Sequence, residues 1–229
     1  PEVENLKIGL AKAIVGQKIK KITVNKPKLV SGKGNIRVAS KKKTQEFTHE
    51  LIGERFLAVE RRAKNLIFKL SHGKIILVHL KMSGQFAYLP RQRRGRPIIG
   101  GHPIELSEHE LPNKHTHIIF ELEKGALYYN DTRMFGYVLY YPSLRAFETE
   151  NHFGAYGIEP LDKNFTLKYF RDALKNKRGK IKAILMGQKV VVGIGNIYAD
   201  ESLFESRIRP DRNANSLSLS EIKKLHTAI

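Results

Sequence analysis

Residues 188–212 read QKVVVGIGNIYADESLFESRIRPDR, a short apolar run that meets Gly193 and Gly195 and opens a helical pattern at Asn196. A glycine-rich turn into a helix leaves backbone N–H groups free at the helix mouth, where the aligned peptide dipoles favour an anion. Asn196 stands at that mouth, so its amide is a candidate contact to a phosphate oxygen, a grip on a nucleic-acid backbone that ignores base sequence. Two other readings compete, an ordinary tight turn and a dinucleotide site. The dinucleotide pattern lacks its third glycine, since Tyr198 and Ala199 follow, and no parallel βαβ pattern surrounds it. Beyond the turn, Ile197, Phe204 and Ile208 are expected to share one helix stripe. Just upstream, KNKRGKIK packs positive charge into eight residues.

That charge belongs to a wider imbalance. The 229-residue chain carries 41 Lys plus Arg against 22 Asp plus Glu, a formal charge of +19. Solubility of a small domain needs a net charge of only about 2 to 8. So much self-repulsion implies a polyanionic partner, nucleic acid before an anionic membrane surface. The sequence holds no run of 18 apolar residues and no charged-then-apolar leader pattern, which points to an intracellular protein. It holds no cysteine, hence no disulfide, thiol nucleophile or thiolate metal site, and no metal site is assigned.

The elements that must position such a site follow from periodicity. Val3, Leu6, Leu10 and Ile14 recur at helical spacing before Gly16. From there to about residue 141 the period shortens to two, with Ile22 and Val24, Leu57 and Val59, Leu66, Phe68 and Leu70, and Ile118, Phe120 and Leu122 marking half-buried strands. Gly-containing and basic segments at 31–34, 41–43 and 91–101 are read as loops between them. The stretch 142–162, with Gly154, Gly157 and Pro160, is read as a linker. Helical patterns return at 165–176, 180–188 and 196–208, and Ser218 with Glu221 forms a capping box ahead of Ile222 and Leu225. The expected fold class is α+β in two domains: residues 1–141, an N-terminal helix plus an antiparallel β-sandwich, and residues 163–229, mainly helical.

QKVVVGIGNIYADESLF resembles the helix–two-turn–helix signature of the formamidopyrimidine-DNA glycosylase and endonuclease VIII family. Further stretches match in the same order: PEVEN at the start, RRAKNLIF from Arg61, HLKMSGQF from His79, KHTHIIF from Lys114, YNDTRMFGYV from Tyr129, GIEPL from Gly157 and IRPDR from Ile208. The resemblance spans the whole chain. It implies a base-excision repair glycosylase with abasic-site lyase activity, removing oxidised purines from duplex DNA. It further implies a monomer, no membrane, and a place in the cytoplasm with the nucleoid.

The resemblance also assigns roles. Lys64 matches the family's lysine beside the lesion phosphate, a point charge that holds the flipped nucleotide. Met82, Arg133 and Phe135 match the three residues of the formamidopyrimidine branch that occupy the gap left by an everted base. An apolar wedge offsets part of the few kcal/mol of lost stacking, and a guanidinium bonds the orphaned partner base. Lys182 and His115 are expected to contact phosphates, with His117 a further candidate. Two departures stand out: Met134 where a second arginine is common, and Thr116 where an acid is frequent.

In the family the nucleophile is the secondary amine of an N-terminal proline, with the next glutamate moving a proton. Two registers fit this chain. The one that keeps the first helix in phase matches Pro1 and Glu2 to the fourth and fifth residues of the family's Pro-Glu-Leu-Pro-Glu-Val-Glu start, leaving three residues missing. In the other, Pro1 is the mature terminus and Glu2 its acid. In the first register the fragment would bind damage without chemistry, and a generic basic nucleic-acid binder is the third class to exclude. The last helical pattern stops at Ile229 with its stripe still running, so the family's four-cysteine zinc finger is expected beyond it, with zinc in the full-length protein and no cofactor in this chain.

Overall fold

The computed structural model describes residues 2–34, 37–91, 98–101, 111–150 and 153–229, and the chain divides into two compact units, Pro1–Asn151 and His152–Ile229. The first opens with helix α1 (Glu2–Ile14), which buries Leu6, Leu10 and Ile14 and ends at Gly16, whose φ of 84° is open to glycine at little cost. Nine strands follow: β1 (Ile19–Val24), β2 (Phe56–Arg62), β3 (Asn65–Leu70), β4 (Ile75–His79), β5 (Gly84–Pro90), β6 (Ile98–Gly101), β7 (Thr116–Leu122), β8 (Gly125–Asp131) and β9 (Tyr137–Tyr141). They form two antiparallel sheets, ordered β1-β7-β8-β5-β6 and β2-β3-β4-β9. Phe56 and Phe68 from one sheet and Phe86, Phe120 and Tyr129 from the other fill a single core, with edge-on ring pairs at 5.6–5.7 Å. The α+β class expected from the change of period is thus the observed one.

Register decides where the functional segments fall. Asn65 faces both Arg62 and His79, and His79 faces Tyr137. In the other sheet Gly84 faces Asp131 and Thr116 faces Asn130. The β2–β3 turn, the β4–β5 connection, the lead into β7 and the β8–β9 loop therefore gather at one end of the sandwich. The start of α1 joins them, because Glu4 accepts from Arg61 Nε at 2.5 Å.

Four local expectations change. Residues 41–43, read as loop, begin helix α2 (Lys41–Leu51), capped by Ser40, whose hydroxyl accepts from the Lys43 N–H. Its three leading lysines oppose the helix dipole, yet Phe47 and Leu51 are buried and the Phe47 ring lies 6.0 Å from Phe120, so packing overrides the local signal. Leu57 and Val59 do not share a face: a bulge between Phe56 and Ala58 leaves Leu57 exposed and Val59 buried. Of the 91–101 loop, residues 98–101 form edge strand β6, and 92–97 lie outside the described residues. Within the expected linker stands helix α3 (Leu144–Glu150), with Phe147 packed edge-on against Tyr141.

The second unit consists of α4 (Leu167–Leu174), α5 (Ile181–Met186), α6 (Asn196–Glu205) and α7 (Leu219–Ala228) around Phe170, Leu174, Leu185, Val191 and Leu225. Thr166 caps α4, and the Ser218–Glu221 capping box starts α7 with both reciprocal bonds. The stripe expected on α6 is different. Ala199, Ser202 and Leu203 are its buried face, while Ile197 and Phe204 are 73% and 82% exposed. Ile208, beyond the helix end, is buried. The heptad-like spacing of those three residues concealed a face in which two of the three buried side chains, Ala199 and Ser202, are small.

Candidate nucleic-acid interface

At the gathered end of the sandwich the β2–β3 turn presents Lys64. Ala63 takes the left-handed conformation (φ 54°), and Arg61, itself held by Glu4, donates from Nη1 to the Ala63 carbonyl at 2.9 Å. Lys7 and then Arg61 hold the Glu4 carboxyl below its usual pKa, so it stays ionised as their anchor. Lys64 is half-buried, and burial first, then the charge of Lys81, lowers its ammonium pKa. His79 is pushed down to about 4 by burial and then by Lys81 and Lys64. Its Nδ1 accepts from the Lys81 N–H at 3.0 Å, which puts its proton on Nε2. Two mutually repelling ammonium groups beside a neutral N–H donor make a site that an arriving anion would relieve. Neither His79 nor Lys81 is singled out by residue type in the sequence, although both lie in the HLKM stretch.

Met82 and the β8–β9 loop stand beside this group. The Arg133 guanidinium donates to the Met82 sulfur at 3.1 Å and lies 4.6 Å from the centre of the Phe135 ring. Met82 is 60% exposed and Phe135 36%, so two large apolar side chains and a cation form one outward cluster. Core packing, the ordinary role of such residues, does not account for them.

The loop beneath is built on Asp131, which is fully buried. Its carboxylate accepts from the Ser83 hydroxyl at 2.5 Å, the Met134 N–H at 2.9 Å and the Gly136 N–H at 2.8 Å. Tyr129, its phenol pKa raised chiefly by burial, keeps its proton and donates to the same carboxylate at 3.3 Å. Gly136 is required: a Cβ there would lie 1.9 Å from the Tyr129 hydroxyl. Met134 packs against the core, away from the surface expected of an arginine at that position. His117 is buried and donates from Nε2 to the Asp131 carbonyl at 2.8 Å, so that edge supports the loop. His115 is half-exposed just ahead of β7, and its carbonyl accepts the Asp131 N–H at 3.1 Å.

In the second unit, Gln188 ties the turn before α6. Its amide donates to the Met186 and Ile194 carbonyls and its oxygen accepts the Gly193 N–H, all at 2.8–2.9 Å. Gly195 caps α6 and offers no side chain to its first N–H groups, beside which Asn196, Ile197 and Tyr198 are exposed. Lys182 pairs with Asp200, one turn along α6 from Asn196, at 2.8–2.9 Å.

Residues 1–138 match the formamidopyrimidine-DNA glycosylase N-terminal domain, and residues 156–229 the H2TH domain of the same enzymes. The chain belongs to the formamidopyrimidine-DNA glycosylase family. Over its full length it is 37% identical to the formamidopyrimidine-DNA glycosylases of Carboxydothermus hydrogenoformans and Listeria monocytogenes, covering 73% and 74% of those proteins. Among solved structures it resembles the Lactococcus lactis enzyme in complex with abasic-site DNA (TM-score 0.80, 31% identity, all of this chain and 74% of that one). The same enzyme with Fapy-dG-containing DNA matches at TM-score 0.80, 32% identity, all of this chain and 76% of that one.

Pro1 lies outside the described residues. Glu2 begins α1 and is exposed. The sequence lacks cysteine, and among the described residues no group of three or more His, Asp and Glu could hold a metal. Among the described residues no helix is long and apolar enough to cross a membrane.

Proposed function

We propose that this chain is the DNA-gripping bulk of a base-excision repair glycosylase and abasic-site lyase that acts on oxidised purines in duplex DNA. The observation that carries the reading is the joint exposure of Met82, Arg133 and Phe135 beside Lys64 and His79, in a chain aligned throughout with formamidopyrimidine-DNA glycosylases. Met82 and Phe135 enter the stack where a nucleotide has left, and the Arg133 guanidinium donates to the partner base left behind. Lys64 and His79 receive the phosphate beside the extruded sugar, while Lys182, Asn196 and His115 hold further phosphates. The protein acts as a monomer in the cytoplasm, on nucleoid DNA.

With Pro1 as mature terminus, its amine, titrating near 7.7 to 8.0 when unperturbed, is partly neutral at cellular pH. It attacks the anomeric carbon, the base departs with the glycosidic electron pair and a proton relayed by Glu2, the amine loses its proton, and cleavage of the sugar C1′–O4′ bond with protonation of O4′ leaves an iminium that permits elimination. Damage binding without chemistry is the second reading, and it goes with the register that keeps the Leu6–Leu10–Ile14 stripe in phase. Zinc of the family's kind would be held by cysteines outside this sequence.

Binding of an abasic-analogue duplex against an intact one tests the grip. The protein is expected to prefer the abasic duplex, and Arg133→Ala to lose about 1–3 kcal/mol of that preference. Equal affinity for both duplexes would overturn the reading. Borohydride trapping on an 8-oxoguanine duplex, with Pro1 as terminus and with the family's full start restored, tests the chemistry. No adduct from either protein would leave damage binding alone.

A further inference from the structure

Within the β8–β9 loop, residues 134 and 136 are gripped on both their N–H and C=O sides. The Asp131 carboxylate takes the two N–H groups, at 2.9 and 2.8 Å. The two carbonyls accept from Arg37, Met134 O from Nη2 at 2.7 Å and Gly136 O from Nη1 at 2.6 Å. Ser83 adds a further tie by accepting the Arg133 N–H at 3.1 Å. With residues 134 and 136 pinned at both faces of their peptides, the side chains before and between them, Arg133 and Phe135, are sent outward. Arg37 is remote in sequence, on the segment between β1 and α2, and belongs to none of the stretches that carry the family resemblance.

We propose that Arg37 is a positioning residue for lesion recognition: it holds the β8–β9 loop in the one shape that aims Arg133 and Phe135 together at the gap in the duplex. The inference rests on the gap-filling reading above. The chemistry suits arginine alone, since a planar fork reaches two carbonyls two residues apart, whereas a lysine ammonium is a single point charge. The loop is a held shape: Met134 sits at φ 54°, uncommon for a residue with a side chain, and the Arg37 Nε is buried without an acceptor. Both are costs that a relaxed loop would shed. The guanidinium, committed to backbone carbonyls, is not a phosphate contact. Its loss should therefore spare the grip on intact DNA and impair discrimination.

The test compares Arg37→Met, Arg37→Lys and Arg133→Ala with the parent. Two readouts are taken at fixed salt: the ratio of affinities for abasic-analogue and intact duplexes, and the fluorescence of 2-aminopurine placed opposite the abasic position, which reports insertion into the stack. Arg37→Met is expected to lower the ratio about tenfold and remove most of the fluorescence change, with intact-duplex affinity held within about twofold. Arg37→Lys should fall between Arg37→Met and the parent, because it regains one carbonyl bond. Should Arg37→Met fail to fold, Arg37→Lys, which keeps the cation, decides alone. Parental ratio and fluorescence in the folded Arg37 variants, alongside loss in Arg133→Ala, would overturn the assignment of Arg37 and leave gap filling intact. A parental ratio in Arg133→Ala would overturn gap filling itself and the inference with it.

Discussion

His79 shows how a residue's surroundings fix its chemistry. Its folded pKa of about 4 lies below the unfolded value near 6.5, so as pH falls the unfolded chain takes up its proton first. The stability it contributes is complete above about pH 6.5 and is lost as pH falls toward 4, about 3 kcal/mol in all. Urea unfolding of the protein and of His79→Gln, followed from about pH 7 to 4.5, should show the protein losing stability relative to the variant. Parallel curves would remove this account. Asp131 is tested by Asp131→Asn, which turns one acceptor oxygen into a donor facing the N–H of Met134 or Gly136. Leaving a buried N–H unpaired costs about 1–3 kcal/mol, readable as a lower unfolding midpoint. At this scale the sequence was partly legible. The types of Met82, Arg133 and Phe135 suit insertion, but their assignment came from motif resemblance. Arg37 was not legible at all, because its function depends on carbonyls 97 and 99 residues away in the chain.

Elements were legible where one face is strongly apolar. The stripe of α1, the strands around Phe68 and Phe120, and the capping box of α7 all carry signals that local physics and tertiary packing share. Helix α2 was hidden because only Phe47 and Leu51 anchor an otherwise polar segment. The buried face of α6 was misread because Ala199 and Ser202, which let neighbouring backbone come close, weigh little on a hydrophobicity pattern. The turn that presents α6 depends on a single side chain. Gln188→Ala removes three bonds and should destabilise the second unit by about 1–3 kcal/mol while weakening phosphate binding. An unchanged melting profile and affinity would show that the backbone holds the turn without it.

Over the whole molecule the dominant quantity is charge. With a formal +19, affinity for duplex DNA should fall linearly with salt on a double-logarithmic plot, at about 0.9 per phosphate neutralised. Lys182→Ala should lower that slope by roughly one and weaken intact and abasic duplexes alike. Identical slopes would show that its pairing with Asp200 keeps it from DNA. The two-unit plan was legible from the change of period, whereas the gathering of distant segments was not, since it depends on strand register. That register also defines a far end. The β7–β8 turn carries Lys124, exposed and bonded among the described residues through its backbone, to Gln17 and Arg91. A seven-residue strand separates it from the Met82 and Arg133 end, about 20 Å. In a sequence free of cysteine, Lys124→Cys creates a unique thiol for a dye or a surface tether. Molecules anchored there would all present the same face to solution, so scanning of single DNA duplexes could be watched with every copy oriented alike.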